Sequence, residues 1–155
     1  MAMFIISNLG GRLTSNSQEA ITLQKKSGFG EIKSGVVVYS SLEAFYLIER
    51  GKAMSDKTLF KLKKEEKEKY LVFKNLRDHG YKIKTGLKYG ADFRAYKDNK
   101  HADYIIWVIK GGKINPKDLT AKTRIAHSTN KKLILAIIDE EEDITYQTIS
   151  WLKPQ

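Results

Sequence analysis

Cysteine is absent from this chain of 155 residues, which excludes disulfides, thiolate-held metals and cysteine nucleophiles. Long apolar runs are absent too. No stretch approaches the roughly 18 consecutive apolar residues needed to span a bilayer, and residues 1–7 are too few and too poor in basic charge for a secretory signal. The expectation is a soluble, cytoplasmic protein with no membrane partner. Histidine is scarce: His79, His101 and His127 are scattered rather than set at zinc-ligand spacing, so a structural zinc is not expected, and nothing in the composition calls for another cofactor. Acidic residues are the minority, 18 Asp and Glu against 28 Lys and Arg, for a formal net charge of +10. A surface of that sign concentrates polyanions by long-range attraction and counterion release, which hints at a nucleic-acid partner, although many lysine-rich proteins are basic without binding one.

What is present suffices for a folded protein. Hydrophobic residues make up 41% of the chain and the charged 30% mixes both signs, which argues against global disorder. The length admits one medium domain or two small ones. Residues 3–7, 20–23 and 35–39 look like short strands set among glycine-bearing turns at Gly10-Gly11 and Gly28-Phe29-Gly30, hence a small antiparallel sheet. From Ser41, a candidate cap, Leu42, Phe45, Tyr46 and Ile48 share a helical face, with Gly51 as terminator. A second helical stretch is expected from Ser55-Asp56, through the lysine and glutamate run at 63–69, to a glycine stop at His79-Gly80. A break near Lys69 divides the chain into an amino-terminal structural domain, 1–69, and a carboxyl-terminal domain, 70–155. In the latter, 81–85, 93–96, 104–109 and 133–138 read as strands, 118–127 as a helix, 139–143 as an acidic turn and 144–151 as an alternating strand. The fold class is α+β, a small sheet with helices followed by an α/β domain.

Three segments of the carboxyl half carry a resemblance. They are Tyr70-Leu-Val-Phe-Lys-Asn-Leu-Arg-Asp-His-Gly-Tyr81 leading into Lys84-Thr-Gly-Leu-Lys-Tyr-Gly-Ala-Asp-Phe-Arg-Ala-Tyr96, then His101-Ala-Asp-Tyr104, then Arg124-Ile-Ala-His-Ser-Thr-Asn-Lys-Lys132. In order and spacing they resemble the catalytic domain of the archaeal-type tRNA-splicing endonucleases. The likeness is close over 70–154 and extends to the amino half only in its size and helix-rich ending. It implies a restriction-endonuclease-like carboxyl domain and an enzyme that cuts precursor tRNA at intron boundaries in bulge-helix-bulge motifs. By the family pattern the catalytic residues would be Tyr96, His101 and Lys131. The connecting loop, Lys97-Asp-Asn-Lys100, is shorter than in many relatives. Lys132 competes with Lys131, since adjacent residues entering a strand face opposite sides; the family pattern favours Lys131. Taken singly, the three would read as a core tyrosine, a surface histidine and a solvated lysine.

The implied reaction is attack of a ribose 2′-hydroxyl on the adjacent phosphorus, leaving a 2′,3′-cyclic phosphate and a 5′-hydroxyl. It needs a base, an acid and a positive stabiliser, but no metal. A histidine titrates near neutrality and suits protonation of the departing 5′-oxygen, the role implied for His101. A lysine suits charge building on the phosphoryl oxygens, the role implied for Lys131. Tyr96 as base is the demanding assignment, because an ordinary phenol is only about 0.1% ionised at neutral pH. A nearby cation, Lys131 or Arg124, would favour the phenolate. His127 competes for the acid role, although in the family its counterpart looks structural.

For RNA, the resemblance implies that Arg124 meets a bulged base, with Tyr146 or Trp151 as the second clamping group; Trp151 also reads as plain core packing. The acidic run Asp139, Glu140, Glu141, Glu142 and Asp143 would ordinarily be a solvated turn. The resemblance implies instead that it inserts into a basic cleft of a neighbouring subunit, and that the last strand pairs across a dimer, giving a homotetramer or heterotetramer. Three other readings stay open: a structural partner subunit of the same enzyme, a non-enzymatic RNA-binding module, and a metal-dependent DNA nuclease built on Asp92 and Asp103, which lacks an evident Glu-x-Lys partner.

Overall fold

The chain folds as two units, Met1–Lys67 and Glu68–Gln155, in a computed structural model that describes residues 3–56, 61–98 and 103–155. The first unit holds β1 (Phe4–Leu9), β2 (Arg12–Ser15), α1 (Gln18–Ser27), β3 (Glu31–Lys33), β4 (Val36–Tyr39), α2 (Ser41–Glu49) and β5 (Ala53–Ser55), with strand order β3-β4-β2-β1-β5. The sheet departs from the antiparallel expectation at one edge. There β5 runs parallel to β1, with Phe4 beside Ala53, because α2 carries the chain back so that β5 enters in the direction of β1.

Residues 20–23, expected as a strand, lie inside α1. The Ser17 hydroxyl accepts the Ala20 N–H at 3.1 Å, and Gly28 ends the helix in the left-handed conformation at φ 70°. Ala20 and Leu23, three residues apart, are both buried. Two caps and an i,i+3 apolar pair outweigh the strand propensity of Ile21 and Thr22. In α2 the cap is Ser40 rather than Ser41: Ser40 and Glu43 form a reciprocal capping box. The buried Glu43 also accepts the Gly30 N–H at 2.7 Å, which ties the helix start to the Gly28-Phe29-Gly30 turn after α1. The helix expected from Ser55 does not start there. Ser55 belongs to β5, whose pairing beside Ile6 claims it; residues 57–60 lie outside the described residues.

The second unit comprises α3 (Glu66–Asp78), β6 (Lys82–Thr85), a 3-10 turn (Leu87–Tyr89), β7 (Phe93–Tyr96), β8 (Tyr104–Lys110), α4 (Pro116–Ser128), β9 (Lys132–Ile138) and β10 (Ile144–Ile149). Its strands lie in the order β10-β9-β8-β7-β6. Only β8 and β9 run parallel, joined through α4 as a parallel pair requires; the other neighbours are antiparallel. This is the α+β organisation expected, with the carboxyl unit a helix-flanked sheet.

Strand alternation divides the core of this unit into two faces. On one, Ile105, Leu133 and Leu135 bury against Ala126 of α4, with Tyr89, Trp107 and Ile125 packed around them. On the other, α3 covers the sheet: Phe73 meets Phe93 with ring centroids 6.1 Å apart, and Leu76 shares a cavity of about 340 Å³ with Ala95, Ile106 and Ile134. Full burial of side chains such as Phe73, Ile105 and Leu133 contributes roughly 1.5–3 kcal/mol each relative to exposure. Among the described residues no helix is long and apolar enough to cross a membrane.

Candidate active site

Register brings the ends of three strands together. Ala95 pairs with Tyr104 and Tyr104 with Lys132. One step further along, the Asp103 N–H donates to the Ala95 carbonyl at 3.0 Å and the Lys132 N–H to the Asp103 carbonyl at 3.0 Å. Tyr96, Asp103 and Lys131 therefore stand at one end of the sheet. By the alternation of the pleat, Tyr96 and Lys131 both lie on the α4 side, whereas Lys132, one residue on, belongs to the opposite face. Both Tyr96 and Lys131 are half-buried. His101, between them in sequence, lies outside the described residues.

Lys131 is set by the end of α4. Asn130 takes a left-handed φ of 56°, and the Lys131 N–H then donates to the Ala126 carbonyl at 2.8 Å, closing the helix before β9 begins. Its ammonium lies 5.3 Å from the centroid of the Tyr89 ring. The Lys88 ammonium is 5.8 Å from the same ring, and Lys122 Nζ is 4.4 Å from that of Trp107. The α4 side thus carries several cations held over aromatic rings, a surface suited to a phosphate backbone.

Arg124 is exposed on α4, one turn before His127. The His127 ring meets Trp151 edge-on, with centroids 4.3 Å apart and planes at 80°. Trp151 is not core: it is 52% exposed, because β10 has ended and the chain beyond it lies at the surface. Arg124, His127 and Trp151 therefore form one neighbourhood. Tyr146 does not join it. On the α3 side of the sheet, its hydroxyl donates to Asn75 Oδ1 at 2.7 Å, and burial pushes its pKa up to about 12.

The acidic run forms the tight turn between β9 and β10. Asp139, itself exposed, bonds within the turn, its Oδ1 accepting the N–H groups of Glu141 and Asp143, each at 2.9 Å. Glu140, Glu141, Glu142 and Asp143 are exposed. Asp92, a ligand in the metal-nuclease reading, is engaged elsewhere: Oδ2 accepts the Val108 N–H at 2.7 Å and Oδ1 pairs with Lys69 at 3.2 Å. Asp103 is exposed, and among the described residues no three His, Asp or Glu side chains form a metal-binding group. Those residues do not fit a magnesium site. Sequence reasoning missed Tyr89, whose only signal was the pair of glycines flanking Leu-Lys-Tyr.

Residues 67–146 match the family model described as tRNA intron endonuclease, catalytic C-terminal domain. The whole chain is similar to proteins named tRNA-splicing endonuclease. That of Pyrococcus abyssi is 40% identical, over 93% of this chain and 94% of its own. That of Thermococcus kodakarensis is 40% identical over 99% of both, and that of Methanothermobacter thermautotrophicus 38% identical over 85% of this chain and 87% of its own.

Proposed function

Because this chain belongs to the tRNA intron endonuclease family, we propose that it is a catalytic subunit that excises tRNA introns by metal-independent transesterification at bulge-helix-bulge motifs. The observation that carries this reading is the common position of Tyr96 and Lys131, at one sheet end and on one face; His101 stands between them in sequence. In the step itself, the Tyr96 phenolate accepts the proton of the 2′-hydroxyl as the 2′-oxygen bonds to phosphorus. His101 gives a proton to the 5′-oxygen as the old ester bond breaks, and Lys131 holds the charge on the non-bridging oxygens. The products are a 2′,3′-cyclic phosphate and a 5′-hydroxyl.

Arg124 and Trp151, with His127 behind the indole, suit a splayed bulge base better than a paired one, since A-form helices expose little readable sequence. Tyr146 supports the fold of the carboxyl unit through Asn75 rather than the clamp. Assembly into a homo- or heterotetramer through the acidic turn and β10 belongs to the same reading.

The test is incubation of the purified chain with a bulge-helix-bulge precursor tRNA in EDTA, beside His101→Ala, followed by analysis of the ends. Cleavage to cyclic phosphate ends is expected, slowed roughly 10²- to 10⁴-fold in the variant. Cleavage that requires magnesium would overturn the mechanism, and cleavage only after a paralogue is added would make this chain a partner subunit.

A further inference from the structure

A lysine ammonium sits on a flexible four-carbon stem, so something must hold Lys131 where a phosphate can use it. Tyr89 is built to do so. The 3-10 turn that carries it is tied at both ends: the Tyr89 N–H donates to the Gly86 carbonyl at 2.8 Å, Ala91 to the same carbonyl at 3.1 Å, and Gly86 to the Asp92 carbonyl at 3.2 Å. Gly86 lies so close to β7 that an added Cβ would stand 2.7 Å from the Phe93 backbone. The turn is therefore pressed onto the strand that ends at Tyr96. The Tyr89 ring packs against the cluster of Ile105, Ala126, Leu133 and Leu135, which fixes its plane, and its face receives the Lys131 ammonium at 5.3 Å.

We infer that Tyr89 is a positioning residue for the proposed reaction, an aromatic platform that holds the Lys131 ammonium at the sheet end where Tyr96 also stands. The ring face attracts the cation without neutralising it. A carboxylate in the same place would hold the lysine more firmly but would also repel the phosphate. The hydroxyl of Tyr89 plays no part, so the chemistry needs the ring and not the phenol. This inference rests on the nuclease reading for its consequence but not for its geometry.

Two measurements test it. In wild type, the ε-methylene protons of Lys131, assigned by their loss in Lys131→Ala, are expected upfield of the other lysines through the ring current of Tyr89. The shift persists in Tyr89→Phe and disappears in Tyr89→Leu, which keeps apolar bulk against the cluster. In single-turnover cleavage of the precursor RNA, Tyr89→Leu lowers the rate at saturation roughly tenfold to hundredfold, with half-saturation unchanged. Tyr89→Phe restores it. An unshifted Lys131 resonance in wild type would overturn the platform without any variant having to fold, and so would a Tyr89→Leu protein that cleaves at the wild-type rate. Absence of cleavage by wild type would count against the nuclease reading, while the resonance would still decide the platform.

Discussion

At the scale of single residues, the sheet separates side chains that a linear reading treats alike. Tyr96 and Tyr146 both close or line strands of the carboxyl unit, yet Tyr96 lies on the α4 side, while Tyr146 is held on the α3 side by its hydrogen bond to Asn75. Burial raises the Tyr146 pKa from 10 to about 12, so its contribution to stability is complete below pH 10 and is lost as pH climbs toward 12. Tyr146→Phe should begin less stable by about 1 kcal/mol for the lost hydrogen bond and then lose less stability over that alkaline window. Urea unfolding of both proteins on either side of pH 10 measures this, and parallel pH dependence would refute it. Alternation told which residues of a strand share a face, but not which helix covers it, and so Tyr146 could be grouped with Arg124. Asp92 is a similar case. Its carboxylate serves Val108 and Lys69, long-range partners that no local pattern announces.

At the scale of elements, the long apolar strands β8 and β9 and the helix between them were legible because burial on both faces leaves an unbroken apolar run. The spans of β7 and β9 also set Tyr96 and Lys131 at strand ends. Residues 20–23 failed because a four-residue window hides helical spacing; Ser17 and Gly28, at the ends of the full helix, were the better signals. The 3-10 turn was invisible as an element, since its fixed shape comes from contact with β7 rather than from Leu87 to Tyr89 themselves. Gly86→Ala should therefore act through packing. Its new methyl group would meet Phe93 backbone that cannot yield, costing about 1–3 kcal/mol, read by thermal or denaturant unfolding. Unchanged stability would show the turn to be looser than its contacts imply.

At the scale of the whole molecule, charge is unevenly used. The chain carries a net +10, yet five exposed acidic residues crowd one turn, of which Asp139 bonds the turn's own backbone. Joint neutralisation of Glu140, Glu141 and Glu142 to glutamine leaves that internal scaffold intact and, on the assembly proposed above, splits a tetramer into dimers. Light scattering reads the mass directly, and an unaltered mass would remove the turn from the interface. Asp139→Asn is the contrasting variant, because it perturbs the turn's own hydrogen bonds.

The parallel pairing of β5 with β1 bears on synthesis. A ribosome that has released Phe4 must still deliver roughly 50 residues before Ala53 can dock beside it, and closing so long a segment is entropically slow to begin. During that interval the outer side of β1 offers unpaired backbone groups, with the exposed Ile5 on the same strand, to any other extended chain. A nascent or truncated polypeptide ending before β5 would thus expose a template for self-association, which the three-residue strand β5 covers along Phe4, Ile5 and Ile6.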